Sequence, residues 1–410
     1  MVIVGAGPAG SAAALTLARK GLRPLLAERF TFPREKVCGD GLTFRSLSIL
    51  KELNLYERVS SHPSALPFKE ARVVTAEKTV FAGPIPSLPD GTVGFISIPR
   101  RELDLILARA AVEAGAEFAE NFTVTEILKE NGKTVGVAGI QDGREKIIRS
   151  NLVIGADGAH SIVARQAGLY RLKPRFCEVA IRAYFTDLDE PVNWLELYYE
   201  RRIIPGFAWL FPLAGNICNI GIGIRMDRLK NRSLKTIYQE FISDYPPLKK
   251  RLKKAKMLAP PRGTLIPGYG QSGKLFSDAV LLAGDAASLV DPLVGEGVGS
   301  ALLSGVAAGE IAARAVSAGD FSRSFLKQYQ KEIRRRLDPD FRYASLFQNW
   351  PQIHKAAAAM VLRAEKDPDF AQKMIGMASG AISKREIARW SFLAPTVWGY
   401  WMEKLKSGSW

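Results

Sequence analysis

The chain has 410 residues, and at roughly 100–200 residues per domain it holds two or three domains. Hydrophobic residues make up 47%, which excludes a disordered chain, and three cysteines with three histidines exclude a disulfide framework or a Cys/His metal site. The net charge of +16 leaves nucleic acid, a membrane surface or an anionic small molecule open as partners.

Residues 1–28 read as strand, turn, helix, strand: MVIV, GAGPAG, SAAALTLARKG and PLLAE, the opening of a doubly wound sheet. No signal peptide precedes the first strand, and no uncharged apolar run reaches the roughly 18 residues of a membrane span. A cytoplasmic protein without a transmembrane helix is expected. Within the turn, Gly5-Ala6-Gly7-Pro8-Ala9-Gly10 fits G-x-G-x-x-G. The first Gly makes the tight turn, the second lets the backbone approach a pyrophosphate, and the third lets helix pack on strand. The helix N-terminus then faces the anion. Glu28 closes the second strand, where an acid accepts hydrogen bonds from ribose hydroxyls and favours FAD or NAD over NADP.

A loop follows over 31–46, then helical apolar spacing over 46–59 and short alternating strands over 68–98. RRELDLILARAAVEAGAEF (100–118) reads as a helix ending at Gly115, and NLVIGADG (151–158) as a strand running into a Gly turn. Residues 176–226 alternate like antiparallel strands; 233–256 read as helical, and after AVLLAGD (279–285) the chain is mainly helices. The strand-rich blocks interrupt the nucleotide-binding elements. The fold class is therefore α/β: a discontinuous Rossmann-type cofactor domain (1–66, 92–172 and 262–320), an inserted antiparallel-sheet substrate domain (67–91 and 173–261) and a helical C-terminal region (321–410).

Two later motifs decide between the dinucleotides. GADGAHSIVAR (155–165) resembles the Asp-Gly motif, and LLAGDAASLVDPLVGEGVGSAL the Gly-Asp motif, of the flavoprotein superfamily that contains para-hydroxybenzoate hydroxylase. The resemblance implies FAD, with Asp157, Gly158, Gly284 and Asp285 at the cofactor and Asp285 on the ribityl hydroxyls. It further implies that Pro292, Gly295, Gly297 and Val298 form the loop and helix start facing the isoalloxazine. The helix opening at IPRRELDLILA looks like the superfamily's R-x-x-L-D-x-x-L, which assigns Arg100 to the flavin pyrophosphate or side chain. Val124 matches a backbone contact to adenine, and Arg29 and Lys36 join the cofactor set.

PREKVCGDGLT (33–43) resembles a segment of the geranylgeranyl reductase family, in which reduced FAD saturates isoprenoid double bonds. Cys38, Gly39 and Gly41 fall on flavin-contacting positions, where a loop with two Gly can bring backbone amides to the ring. GFAWLFPLAGNICNIGIG (206–223) is similar to the same family's aromatic strand. Phe207, Trp209 and Phe211 alternate and share one face, a flat wall suited to a prenyl chain, unless they are ordinary core. Phe207 stands where relatives commonly carry Tyr, so a polar role there is in doubt.

The resemblance covers about residues 1–320 and implies an FAD-dependent reductase of a geranylgeranyl chain in a lipid, pigment or diphosphate. An FAD-dependent monooxygenase of an apolar substrate is the alternative. Reduction needs a hydride from the reduced flavin and a proton at the neighbouring carbon, and the sequence singles out no acid for the proton. Cys38 is the one catalytic candidate, as proton donor or modulator of the ring; the competing reading is a small buried thiol in a tight loop. Cys177 and Cys218 lie on strands and read as packing residues. No second G-x-G-x-x-G occurs, so electrons are expected from NAD(P)H without a dedicated domain or from a ferredoxin-like acidic donor drawn by the positive charge. The basic runs at 248–256 and 331–336 lack interleaved aromatics, so nucleic acid is not expected as a partner. The tail at 389–410 holds four of the seven Trp together with Lys404 and Lys406, which fits peripheral contact with the inner membrane surface or, alternatively, a helix closing the substrate tunnel.

Overall fold

The computed structural model describes residues 1–389, apart from 77, 78, 191, 271, 272 and 352. The basic, Trp-rich tail at 389–410 lies, beyond Arg389, outside the described residues. Strand Val2–Val4 is apolar and buried throughout, as the centre of a parallel sheet must be when helices cover both faces. Its sheet has six strands in the order Phe276–Ser277, Val280–Leu282, Val153–Gly155, Val2–Val4, Leu25–Ala27 and Glu117–Ala119, with only the first pair antiparallel. The turn after Val4 leads into helix Pro8–Ala18, which is buried at every position.

That helix is buried because a second one, Val298–Ala318, lies against it. The two backbones approach so closely that a Cβ on Gly305 would stand 2.1 Å from the Ala9 carbonyl oxygen. By length and composition alone Val298–Ala318 could cross a membrane, but Glu310 and Arg314 interrupt it, in keeping with the lack of a long uncharged run, and 67% of its apolar window is buried inside the protein. The long helix Arg323–Gln348 adds Leu326, Tyr329, Ile333, Leu337 and Phe341 to the same core, so the first helix of the C-terminal region is built into the parallel-sheet unit.

The second sheet has eight strands. Cys177–Thr186, Ile217–Arg225, Gly206–Leu213 and Leu195–Tyr198 run antiparallel, and Leu195–Tyr198 then pairs in parallel with Glu70–Val74, which forms a hairpin with Thr79–Pro84. Arg262–Pro267 also pairs with Cys177–Thr186, so this strand joins the second sheet although it lies beyond the expected boundary at 262. Helix Leu234–Asp244 covers the sheet's outer face through Ile237, Tyr238 and Phe241. Its inner face looks at the first unit.

Three local readings change. The helical stretch at 46–59 is two helices, Phe44–Glu52 and Tyr56–Ser60, because Asn54 turns the chain with φ 53°. The stretch at 233–256 breaks at Tyr245, where two prolines follow and start a new helix, Pro246–Arg251. Residues 122–149 form a three-stranded antiparallel meander that the sequence reading passed over apart from Val124. Within the basic run at 248–256, Lys250, Lys254 and Lys256 are largely exposed and pair with Glu190, Asp189 and Asp187, as on a solvated face.

Candidate functional site

A cavity of about 770 Å³ lies between the six-stranded and the eight-stranded sheet. One end is built by the glycine turn. Gly5 has φ 98°, and a Cβ on Gly10 would stand 1.8 Å from the Gly5 carbonyl oxygen, so turn and helix must pack without side chains. Gly7 differs: a Cβ there would meet only the Nη2 atoms of Arg34 and Arg100, at 3.9 and 4.0 Å. The helix beginning at Pro8 carries no side-chain cap, so its first amides are open to a ligand. Free amides, a positive helix end and two guanidinium groups around an open cradle fit a pyrophosphate.

Carboxylates hold those guanidinium groups in place. Arg100 Nε and Nη2 donate to the two oxygens of Asp104, each at 2.8 Å, and Arg34 Nη1 donates to Asp104 at 2.8 Å. Arg34 Nη2 lies 3.3 Å from Glu28 Oε2, which also accepts from the Ala6 amide at 3.1 Å. Glu28 thus has one oxygen committed to the turn, and its other accepts from Phe30 N at 3.2 Å. Beyond Glu28, Arg29 and Val124 line the same end of the cavity.

The middle of the cavity is walled by the two expected motifs, Asp-Gly and Gly-Asp. Asp157 and Gly158 border it, but both Asp157 oxygens are occupied at the start of helix Ile162–Gln166, by Ser161 Oγ (2.5 Å), Ile162 N (2.7 Å) and Val163 N (3.2 Å). Burial pushes the Asp157 carboxyl up, against those hydrogen bonds. Gly284 and Asp285 follow strand Val280–Leu282; Lys36 Nζ is 3.6 Å from Asp285, and a Cβ on Gly297 would stand 3.5 Å from Asp285 Oδ1. Helix Val298–Ala318 starts beside them, and Glu296 caps it by accepting from Gly299 N and, at 3.0 Å, from Ser46 Oγ.

On the opposite wall Phe207, Trp209 and Phe211 do share a face: the ring centroids are 5.5 and 6.3 Å apart in sequence order. The Cys38-Gly39-Asp40-Gly41 loop is pinned to this wall. Asn219 Nδ2 donates to Cys38 O and to Asp40 Oδ2, both at 2.8 Å, and Trp209 Nε1 donates to Asn219 Oδ1 at 3.0 Å. Tyr184 OH donates to Asp40 at 2.6 Å. The glycines answer first to the aromatic rings: a Cβ on Gly41 would meet Phe95 Cζ at 2.6 Å, and one on Gly39 would meet Trp209 Nε1 at 3.4 Å. Cys38 lines the cavity, close to the Arg100 guanidinium. Cys177 and Cys218 are buried in their strands.

Two expected cofactor residues do not line the cavity. Gly10 serves the strand–helix contact only, and Pro292 turns away, its Cβ 3.8 Å from where a Cβ on Gly268 would stand. The others all line it. Sequence reasoning missed Asp40, Glu178, Arg182 and Asn219, each a lone polar residue in a loop or strand with no role of its own to flag it, and gave no role to Arg34 of the PREKVCGDGLT segment. It also missed the far arm of the cavity, which is apolar. Val73 and Phe81 on one sheet edge, Leu195 and Leu197 beside them, and Met360 and Ile375 from the C-terminal helices Ile353–Lys366 and Pro368–Ser379 enclose that arm.

Comparison with known proteins agrees with this geometry. A family model described as an FAD binding domain matches residues 1–338. The digeranylgeranylglycerophospholipid reductase of Methanocella arvoryzae is 32% identical over 82% of this chain and 83% of its own length. Digeranylgeranylglycerophospholipid reductase 1 of Methanococcoides burtonii is 33% identical over 82% and 79%. Among solved structures, a geranylgeranyl bacteriochlorophyll reductase-like protein from Thermoplasma acidophilum superposes with a TM-score of 0.77 at 25% identity, covering 99% of this chain and 97% of its own.

Proposed function

The chain belongs to the FAD-binding domain family, in the geranylgeranyl reductase group, and on that premise we propose that it uses FAD to saturate C=C bonds in the geranylgeranyl chains of a glycerophospholipid. One observation carries the reading: the cradle that fits a dinucleotide and the apolar arm are parts of one cavity. A prenyl chain in that arm would meet the aromatic wall at its reacting bond. The reductase names of the relatives support this reading over a monooxygenase.

The residues present fit FAD. Gly5, Gly7, Pro8 and Ala9 with Arg34 and Arg100 would hold the pyrophosphate, Glu28 the adenosine ribose, and Asp285 the ribityl chain. When bound, the flavin supplies the hydride. The protein's part is to orient and to exclude water. Trp209 and Phe211 present flat faces to the alkene, while Phe81, Leu195, Met360 and Ile375 keep the rest of the chain dry. Cys38 borders the place where these functions meet and would touch the flavin.

For the electron source, the net charge of +16 supports an anionic donor, either NAD(P)H or an acidic ferredoxin-like protein. A lipid substrate supports peripheral work at the inner membrane surface. The reading is tested by reducing the flavin with dithionite without oxygen and adding digeranylgeranyl glycerophospholipid: the flavin should be reoxidised by the lipid and not by its saturated counterpart. Equal reoxidation with both, or with neither, contradicts it.

A further inference from the structure

Saturating an isolated alkene needs a proton as well as a hydride, and an isolated C=C bond accepts hydride poorly unless protonation accompanies it. The proton donor must therefore be an acid inside the dry part of the cavity. Glu178 answers that description. It sits on strand Cys177–Thr186, is 4% exposed and lines the cavity. Its Oε1 accepts from Gln348 Nε2 at 2.6 Å. Its Oε2 has no hydrogen-bond partner, one of three such buried side-chain atoms among the described residues, with Ser97 Oγ and Arg182 Nε. That free oxygen lies 3.5 Å from where a Cβ on Gly295 would stand, and Phe207 Cε1 lies 3.4 Å from the same point. The unpartnered oxygen thus faces the gap between the glycine loop assigned to the flavin and the first ring of the aromatic wall.

We propose that Glu178 is the general acid of the reduction, delivering the proton from its Oε2 to the alkene; the proposal rests on the reaction read above. In the step, the π bond breaks. One carbon takes a hydride, with its two electrons, from the reduced flavin, and its neighbour takes the Glu178 proton, so two C–H bonds form and a carboxylate is left. The carboxylate regains a proton from water before the next turnover.

The surroundings keep that proton on the acid. Burial pushes the Glu178 carboxyl up to about 8, and the negative charge of Asp291 acts in the same direction. The Gln348 hydrogen bond and the Arg225 guanidinium oppose the shift, but Arg225 is itself paired with Asp227 at 2.6 Å, and Lys384 is committed to Asp291 at 2.9 Å. An ionised Glu178 would leave Oε2 charged, buried and unpaired, which is costly. Cys38 lines the same cavity, but the unpartnered buried oxygen belongs to Glu178.

The test uses reduced holoenzyme without oxygen, mixed rapidly with a geranylgeranyl glycerophospholipid. Glu178→Gln should slow flavin reoxidation by about 100-fold or more, the usual share of a general acid, while leaving the flavin spectrum, dithionite reduction and lipid binding unchanged. The wild-type rate should fall as pH rises past about 8, and the variant should lose that limb. Infrared spectra should show a protonated carboxyl band at neutral pH that Glu178→Gln removes, a readout that needs no turnover. Gln348→Leu removes an interaction that favours the carboxylate, so it should move the limb to higher pH; it carries the test if Glu178→Gln does not fold. Wild-type-like rates and pH profile in Glu178→Gln, an unmoved limb in Gln348→Leu, or an ionised Glu178 at neutral pH overturns the proposal. A wild-type enzyme that the lipid never reoxidises overturns the reaction itself and the role with it.

Discussion

Lys384 Nζ lies 2.9 Å from Asp291 Oδ2, and the two side chains are only 1% and 2% exposed. Asp291 Oδ1 meanwhile accepts from the amides of Leu293 (3.0 Å) and Val294 (3.4 Å), which shapes the loop running to Gly295 and Gly297. The C-terminal region, which carried no motif, therefore holds the glycine-rich loop in place. Asp340 joins the cluster 3.5 Å from the same ammonium. Burial works against the Lys384 charge, but Asp291 and Asp340 outweigh it and raise its pKa.

Replacing Lys384 with Met should strand the buried Asp291 charge, while Asp340 keeps Arg45 at 3.0 Å. Removing one partner of a buried pair costs about 3–5 kcal/mol. Denaturant unfolding should show that loss, and FAD should dissociate more readily because the loop is no longer held. An unchanged midpoint would mean the ion pair does not form.

Gly7 and Gly10 separate binding from folding. Gly7→Val has open space to enter but fills the cradle beneath Arg34 and Arg100. It should fold and lose FAD affinity by at least about 10-fold, the value of one hydrogen bond to a charged group. Gly10→Ala meets a backbone oxygen at 1.8 Å and should destabilise the protein even without cofactor. Cofactor titration of the apoprotein, alongside its thermal unfolding, distinguishes the two.

The far arm can be blocked without touching the dinucleotide end. Ala378 lines it from helix Pro368–Ser379. Ala378→Phe should lower kcat/KM for a geranylgeranyl chain by about 10-fold or more, since one or two misplaced methylene groups already cost that much. A shorter prenyl substrate should be spared, and so should the flavin spectrum. Equal losses for long and short chains would place the reacting bond elsewhere.

Glu178 also predicts how stability varies with pH. Its carboxyl titrates near 4.5 in the unfolded chain and near 8 in the fold, so between those values the folded state holds the extra proton. The stability it contributes is complete below about 4.5 and is lost as pH rises toward 8. Glu178→Gln should match wild type in acid and unfold at a higher temperature than wild type above about pH 8. Melting curves of both proteins across that range isolate this group from all others.

What could be read in the sequence was local. Gly5, Gly7 and Gly10 announce themselves because turn geometry demands them at fixed spacing. Asp285 and the glycines after it, and the alternating Phe207, Trp209 and Phe211, are likewise contained in one short stretch each. Glu178 could not be read: it is one polar residue in an alternating strand, and its meaning comes from Gln348, 170 positions away, and from the loop at Gly295. The same holds for Lys384 and for the apolar arm, whose walls come from the strands at 70–84 and the helices after 353. Glu296 likewise becomes a helix cap only because the fold brings Ser46 beside it and Gly299.

The most direct test of the account is mass spectrometry of a digeranylgeranyl glycerophospholipid before and after incubation with the reduced enzyme. Lipid should become heavier by two hydrogens for each bond reduced, and because the dithionite that reduces the enzyme supplies only electrons, both hydrogens derive from solvent and heavy water labels both. Lipid of unchanged mass, or lipid that has gained oxygen, would contradict it.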